Sequence, residues 1–130
     1  MKVLVTGSRD WSNAAAIERE FKKLPQGTTI VHGDCPTGAD AIADKLAKKY
    51  GFKIRRYPAN WDAERDSAGG SRSAGPKRNA RMIKEEHPDR EGVPIDLGLA
   101  FTLDLSRSRG TKNCVERARA AGIKVEVHAA

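Results

Sequence analysis

The chain has 130 residues and 38% hydrophobic side chains, enough for one compact domain with one core, and aromatics at 5% make that core mostly aliphatic. No apolar run approaches the roughly 20 residues that span a bilayer, and the opening MKVLVTGSRDW lacks the apolar segment and cleavage site of a signal peptide. The expectation is a soluble cytoplasmic protein with no membrane partner, and the formal net charge of +7 favours anionic partners such as nucleotides, phosphate or nucleic acid.

The segment KVLVTG, 2–7, is a short apolar run closed by glycine and reads as a buried strand. SRDWSN follows as a loop, with Ser12 or Asn13 suited to cap the helix AAAIEREFKKL, 14–24. PQGT breaks that helix, and TTIVHG, 28–33, is a second buried strand. Thr37 is placed to cap a long helix over 38–51, with Gly51 at its end. FKIRRYP, 52–58, is a third strand. The stretch 59–93 has no strand pattern and is rich in Gly and Arg. It reads as a loop plus the helix SAGPKRNARMIKEEH, 73–87, an insertion over a ligand site, with Pro76 in its first turn and Met82 and Ile83 inward. VPIDLGLAF supplies a fourth strand, TLDLSRSRG a polar loop, TKNCVERARAAG a helix over 111–122, and IKVEV a fifth strand.

Strands alternating with helices predict an α/β fold. The expected form is a single Rossmann-like doubly wound domain over 1–130, with a mostly parallel five-stranded sheet and helices on both faces. In such sheets ligands bind beyond the carboxyl ends of the strands. The loops gathered there carry Gly7, Ser8, Arg9, Asp10 and Trp11, then His32, Gly33, Thr37, Gly38, Ala39 and Asp40, then Asn60 and Trp61, then 102–111. Glycines admit backbone N–H groups to a phosphate, and the helix starts at Thr37-Gly38 and Gly110-Thr111 add positive dipole ends. Arg9 suits a phosphate and either tryptophan suits a base.

The stretch GDCPTGAD has the glycine spacing of a P-loop, but Ala39 and Asp40 stand where Lys and Ser/Thr belong, so an NTPase of that kind is disfavoured. No G-x-G-x-x-G follows the first strand either. Cys35 and Cys114 make no disulfide framework and have no metal-type spacing, so reduced thiols and no metal are expected. Cys114 sits near a helix start, where a thiolate nucleophile is conceivable, but falls on the apolar face, which favours a buried structural thiol. For His32 a bond to the neighbouring loop is favoured over general acid–base work.

The motifs VTGSRDW, HGDCPTGADAIADKLAKKYG, YPANW, SAGPKRNARMI and RGTKNCVERARAAGIKV resemble, in order, the YspA-related branch of the SLOG superfamily, which also holds the Lonely Guy phosphoribohydrolases and the DNA-processing protein DprA. The resemblance spans nearly the whole chain. It implies a Rossmann-like domain that binds nucleotides or nucleotide-derived ligands such as NAD derivatives and ADP-ribose, needs no other cofactor, and forms dimers or larger assemblies. A phage or mobile-element origin fits it. The matching positions are Gly7, Ser8, Arg9 and Asp10; His32, Gly33, Thr37, Gly38, Ala39 and Asp40; Gly75, Pro76, Arg78 and Asn79; and Gly110 with Thr111. One departure bears on chemistry: the Lonely Guy P-G-G-x-G-T-x-x-E is replaced by LSRSRGTKNC, with Cys114 in the place of the catalytic glutamate.

Three readings follow. The first is a module that senses or sequesters a nucleotide-derived ligand, with Arg78 and Asn79 as contacts and Lys84 in solvent. The second is a hydrolase cleaving an N-glycosidic or phosphoester bond of such a ligand, with Asp10, Asp34, Asp40 and Asp104 as candidate carboxylates. The third is a DprA-like nucleic-acid binder, which the charge favours and the lack of aromatics along the basic segment opposes.

Overall fold

The computed structural model describes residues 1–59, 74–88 and 92–129. In chain order they form β1 (Lys2–Gly7), α1 (Ala14–Phe21), β2 (Thr29–His32), α2 (Gly38–Lys49), β3 (Lys53–Arg56), α3 (Ala74–Glu86), β4 (Leu97–Phe101), α4 (Arg109–Ala120) and β5 (Val125–His128), with a 3-10 turn at Leu105–Arg107 before α4. The strands make one sheet in the order β3-β2-β1-β4-β5. Every pairing is parallel, so the sheet is wholly parallel where a mostly parallel one was expected. The chain winds outward from β1 through β2 to β3, then returns to lay β4 on the other side of β1. This reversal opens a crevice beyond the carboxyl ends of β1 and β4.

Alternation along the strands divides the core between the two faces. Val3, Val5, Ile30, Leu99 and Phe101 pack with Ile17 and Phe21 of α1 and with Ala39, Ala43 and Ala47 of α2. Leu4, Val31 and Ile95 pack on the other face with Met82 and Ile83 of α3 and with Cys114 and Ala118 of α4. The helix in the stretch 59–93 is thus the β3-to-β4 crossover, and its inward Met82 and Ile83 are core.

Helix ends follow local chemistry. Asn13, not Ser12, caps α1 by accepting a hydrogen bond from the Ala16 amide at 3.1 Å. Thr37 occupies the cap position of α2, but its side chain makes no capping bond. α1 ends at Phe21 rather than at Leu24, because Lys23 and Leu24 close a turn onto the Glu20 and Phe21 carbonyls. α4 begins two residues earlier than the spacing suggested, since the Lys112 amide already donates to Ser108 O at 2.8 Å.

A buried carboxylate at the end of α3 ties the start of β1 to the end of β3. Glu86, 1% exposed, accepts from Tyr57 Oη and Arg55 Nε, and Lys2 Nζ lies 3.1 Å from its Oε1. Burial alone would raise its pKa, but these three donors hold it below the ordinary value.

The centre of the fold depends on close approach. A Cβ on Gly7 would overlap both Ala39 Cβ and the Phe101 carbonyl oxygen. Gly38 has φ of 73° and faces the Ser8 carbonyl, so it needs both the left-handed backbone and the missing Cβ. Gly7→Ala and Gly38→Ala should each lower stability by more than about 2 kcal/mol, read as a fall in the urea midpoint at unchanged slope. A loss under about 0.5 kcal/mol for either would show that this contact is not tight.

Candidate functional site

The loop after β1 is pinned to its neighbours. Ser8 N donates to Phe101 O at 3.0 Å, and Ser8 O accepts from the amides of Ala39 at 3.1 Å and Trp11 at 3.2 Å. The amino end of α2 therefore abuts the Ser8-Arg9 backbone, and one of its amides is engaged there. Gly38 and Ala39 serve packing at this point.

The loop after β2 closes on itself. His32 Nδ1 accepts from the Asp34 amide at 2.9 Å, and Nε2 meets Asp44 Oδ2 at 2.8 Å. Asp34 takes φ of 55°, a left-handed turn that Asp tolerates. His32 thus has the loop bond the sequence favoured, with both ring nitrogens engaged. Asp44 also accepts from Arg56 Nε at 2.7 Å; the guanidinium, then His32 and Lys48, hold its carboxyl well below the usual range. His32, Asp34 and Asp44 have the composition of a cation site, but both ring nitrogens of His32 are already engaged, Nδ1 by the Asp34 backbone amide and Nε2 by the Asp44 carboxylate.

A different arrangement occupies the crevice between β1 and β4. Ser8 Oγ donates to Thr102 Oγ1 at 2.6 Å, and Ser108 Oγ lies 2.8 Å from Ser8 Oγ and 2.6 Å from Thr102 Oγ1. Ser108 is the cap residue of α4, yet its side chain makes no capping bond. Its hydroxyl is spent in this triad, so it leaves the first-turn amides of α4 without a side-chain cap. Among the described residues, nothing lies within 4 Å of where a Cβ on Gly110, in that turn, would sit. Thr111 is buried, while Arg9 and Asp10 are exposed on the facing loop. Thr102 and Ser108 belong to the site but were not singled out from sequence. Their signal was position alone: one directly follows a strand, the other directly precedes a helix.

Arg78 and Asn79 reach this edge as expected, but their bonds are to protein. The Arg78 guanidinium donates to Gly33 O, to Tyr57 O at 3.3 Å and to Asn79 Oδ1 at 2.8 Å. It lies so close over Gly33 that a Cβ there would overlap it. Asn79 Nδ2 donates to Gly110 O at 3.3 Å and to Asn113 Oδ1 at 3.1 Å. These residues join α3 to the ends of β2 and β3 and set the first turn of α4. Gly75 is buried and Pro76 half-buried in the first turn of α3, whereas Lys84 is exposed.

The four candidate carboxylates differ sharply. Asp10 and Asp34 are exposed. Asp104 accepts from Ser106 N at 3.0 Å and Ser106 Oγ at 2.6 Å, capping the 3-10 turn. Asp40 is 7% exposed, and burial raises its pKa despite His32 and Arg78 nearby and a 3.4 Å bond from the Cys35 amide. Trp11 is 5% exposed and packs 5.8 Å from the Phe101 ring, so its ring is core rather than a platform for a base. Its surroundings, with Asp10, Asn13, Leu103 and Ala129, line a shallow cavity of about 140 Å³ on the same edge. A wider groove between α3 and α4, lined by Ile83, Lys84, His87 and Arg117, lies on the outer face of those helices. Asn60 and Trp61 lie outside the described residues.

A family model described as YspA, cpYpsA-related SLOG family matches residues 1–63, the part that carries β1 to β3 and the first two loops. Gene 61 protein of Mycobacterium phage D29 is 35% identical over 133 residues, covering 95% of this chain and 93% of that relative. The likeness therefore continues through α3, β4 and α4. No described helix is long and apolar enough to cross a membrane.

Cys114, at the position of the Lonely Guy glutamate, is fully buried, and burial pushes its thiol up to about 11. That removes the nucleophile reading. Alkylation of the native protein at mildly alkaline pH should label the half-buried Cys35 and spare Cys114 until denaturant is added, as read by peptide mass spectrometry. Equal labelling of both thiols in the native protein would contradict the burial.

Proposed function

Because the chain belongs to the YspA, cpYpsA-related SLOG family, we propose that it binds a nucleotide-derived ligand of the ADP-ribose or NAD-derivative kind, sensing or sequestering it at the carboxyl edge of the sheet. Membership of that family itself points to a nucleotide-related ligand, bound or processed. The observation that carries the finer reading is the uncapped first turn of α4 beside the Ser8–Thr102–Ser108 triad. A phosphate there would accept from the first amides of the helix and meet its positive dipole end. The three hydroxyls can rotate to offer donors to the same anion. Among the described residues Gly110 leaves room for it, and Arg9, exposed on the loop after β1, offers a guanidinium.

A second reading, hydrolysis of such a ligand, rests on Asp40. Asp40 is a buried carboxyl whose pKa burial raises, which is the property of a proton donor. It predicts turnover that Asp40→Asn abolishes while Asp10→Asn, Asp34→Asn and Asp104→Asn retain it. Turnover undiminished in Asp40→Asn would end that reading.

The binding proposal is tested by thermal shift with AMP, ADP, GTP, NAD, ADP-ribose, cyclic ADP-ribose and a single-stranded oligonucleotide, each at low and moderate salt. A ligand at about 100 times its Kd adds roughly 2.7 kcal/mol, a rise of several degrees for a domain of this size. Gly110→Ala should keep or slightly raise the unliganded Tm, since Ala suits a helix better by up to about 1 kcal/mol. It should weaken binding about tenfold, because the methyl fills the space beside the first turn. A shift only with the oligonucleotide, collapsing at moderate salt, would favour a nucleic-acid binder instead.

A further inference from the structure

A second group of chemically capable side chains sits on the α1 side of the edge strand, next to the crevice, where Thr102 N donates to His128 O at 3.0 Å. Glu126 and His128 are two apart on β5 and so project to the same face, toward Glu20 near the end of α1. The His128 ring stacks 5.3 Å from the Phe101 ring, which fixes its plane. Its Nε2 is buried from solvent and has no hydrogen-bond partner among the described residues. That nitrogen faces two carboxylates, at 3.6 Å from Glu126 Oε1 and 3.9 Å from Glu20 Oε1.

These separations are too long for direct hydrogen bonds, whose N···O distances run to about 3.2 Å. The protein makes the direct bond elsewhere: His32 Nε2 meets Asp44 at 2.8 Å. A tetrahedral zinc ion, bonded at about 2.0–2.2 Å, holds its ligand atoms about 3.3–3.6 Å apart. The donor atoms of Glu20, Glu126 and His128 all lie within 4.8 Å of one another, so side-chain shifts of about an ångström would close them on one ion. Lys23 Nζ donates to both Glu20 oxygens, at 3.3 Å to Oε1 and 3.2 Å to Oε2, and Lys124 Nζ lies 3.8 Å from Glu126 Oε2, so a metal would displace the lysines from these carboxylates. Both lysines are largely exposed and can swing clear.

From this geometry we propose that Glu20, Glu126 and His128 form a site for a divalent transition metal of the zinc class, with water as the fourth ligand. One imidazole with two carboxylates suits zinc or cobalt, whereas magnesium and calcium call for six or more oxygens. The ion ties the end of α1 to the edge strand, residues remote in sequence that only the folded chain brings together. It therefore binds the native state in preference to the unfolded one and raises its stability.

The test uses the full chain, stripped with chelator. Zinc is titrated by calorimetry and thermal shift, magnesium serves as the comparison, and cobalt is the spectroscopic probe. The expected result is one zinc per chain, a Tm rise absent with magnesium, and the visible d–d absorption of four-coordinate cobalt. His128→Gln and, separately, Glu126→Gln should each lower zinc affinity at least tenfold and abolish the cobalt band. Glu126 is partly exposed, so its variant keeps the fold if His128→Gln does not. Absence of both a zinc-dependent Tm rise and a cobalt band in the native chain would overturn the site. So would zinc binding that survives both variants, which would place the metal on other residues.

Discussion

The structure depends on one close approach, at Gly7. The end of β1 meets the first turn of α2 through Ala39 and the end of β4 through the Phe101 carbonyl, with no side chain between them. Gly38 repeats the device from the other side, resting against the Ser8-Arg9 backbone. Three elements that diverge elsewhere are drawn together at the point where the winding of the sheet reverses. Ser8 inherits its position from this contact. Its amide is held by Phe101 O, its carbonyl by Ala39 N, and its hydroxyl is thereby aimed across the crevice at Thr102 and Ser108.

The same contact separates the two helix starts that face the edge. Packing on the β1 loop engages an α2 amide, whereas α4 begins with its cap hydroxyl turned aside. The stretch GDCPTGAD looks like a phosphate loop that has lost its lysine, and the structure gives its glycines another use. Gly33 makes room for the Arg78 guanidinium and Gly38 for the β1 loop. Arg78 and Asn79, which have the character of ligand contacts in sequence, act as braces that carry the geometry from β2 and β3 to the first turn of α4. Positioning of that turn is thus spread over three elements.

What the sequence made legible was set by periodicity and punctuation. Apolar runs ending in glycine marked the strands, and the 3.6-residue spacing marked the helices, so element order and the parallel sheet could be read directly. Helix ends were less legible because capping depends on where a hydroxyl turns: Thr37 and Ser108 both hold cap positions and neither caps. Contacts between remote residues left no local pattern. Nothing near Glu86 announces that Lys2, Arg55 and Tyr57 converge on it, and nothing in a lone His128 points to Glu20. Trp11 shows the reverse error, an aromatic beside a glycine loop that suggests a stacking surface but belongs to the core. Thr102 and Ser108 fall between these cases, in plain view as small hydroxyls whose meeting only the sheet order explains.

The central claim is that an anionic ligand group sits at the first turn of α4, against the hydroxyl triad. The most direct measurement follows backbone amide resonances of the labelled protein during titration with ADP-ribose and AMP. The account predicts saturable shifts centred on the amides of Arg109, Gly110 and Thr111, accompanied by Ser8 and Arg9, while residues in the groove between α3 and α4 stay still. Shifts centred on the amides of 34–38 with α4 unmoved would contradict it, because they would place the ligand on the helix start that packing has already engaged.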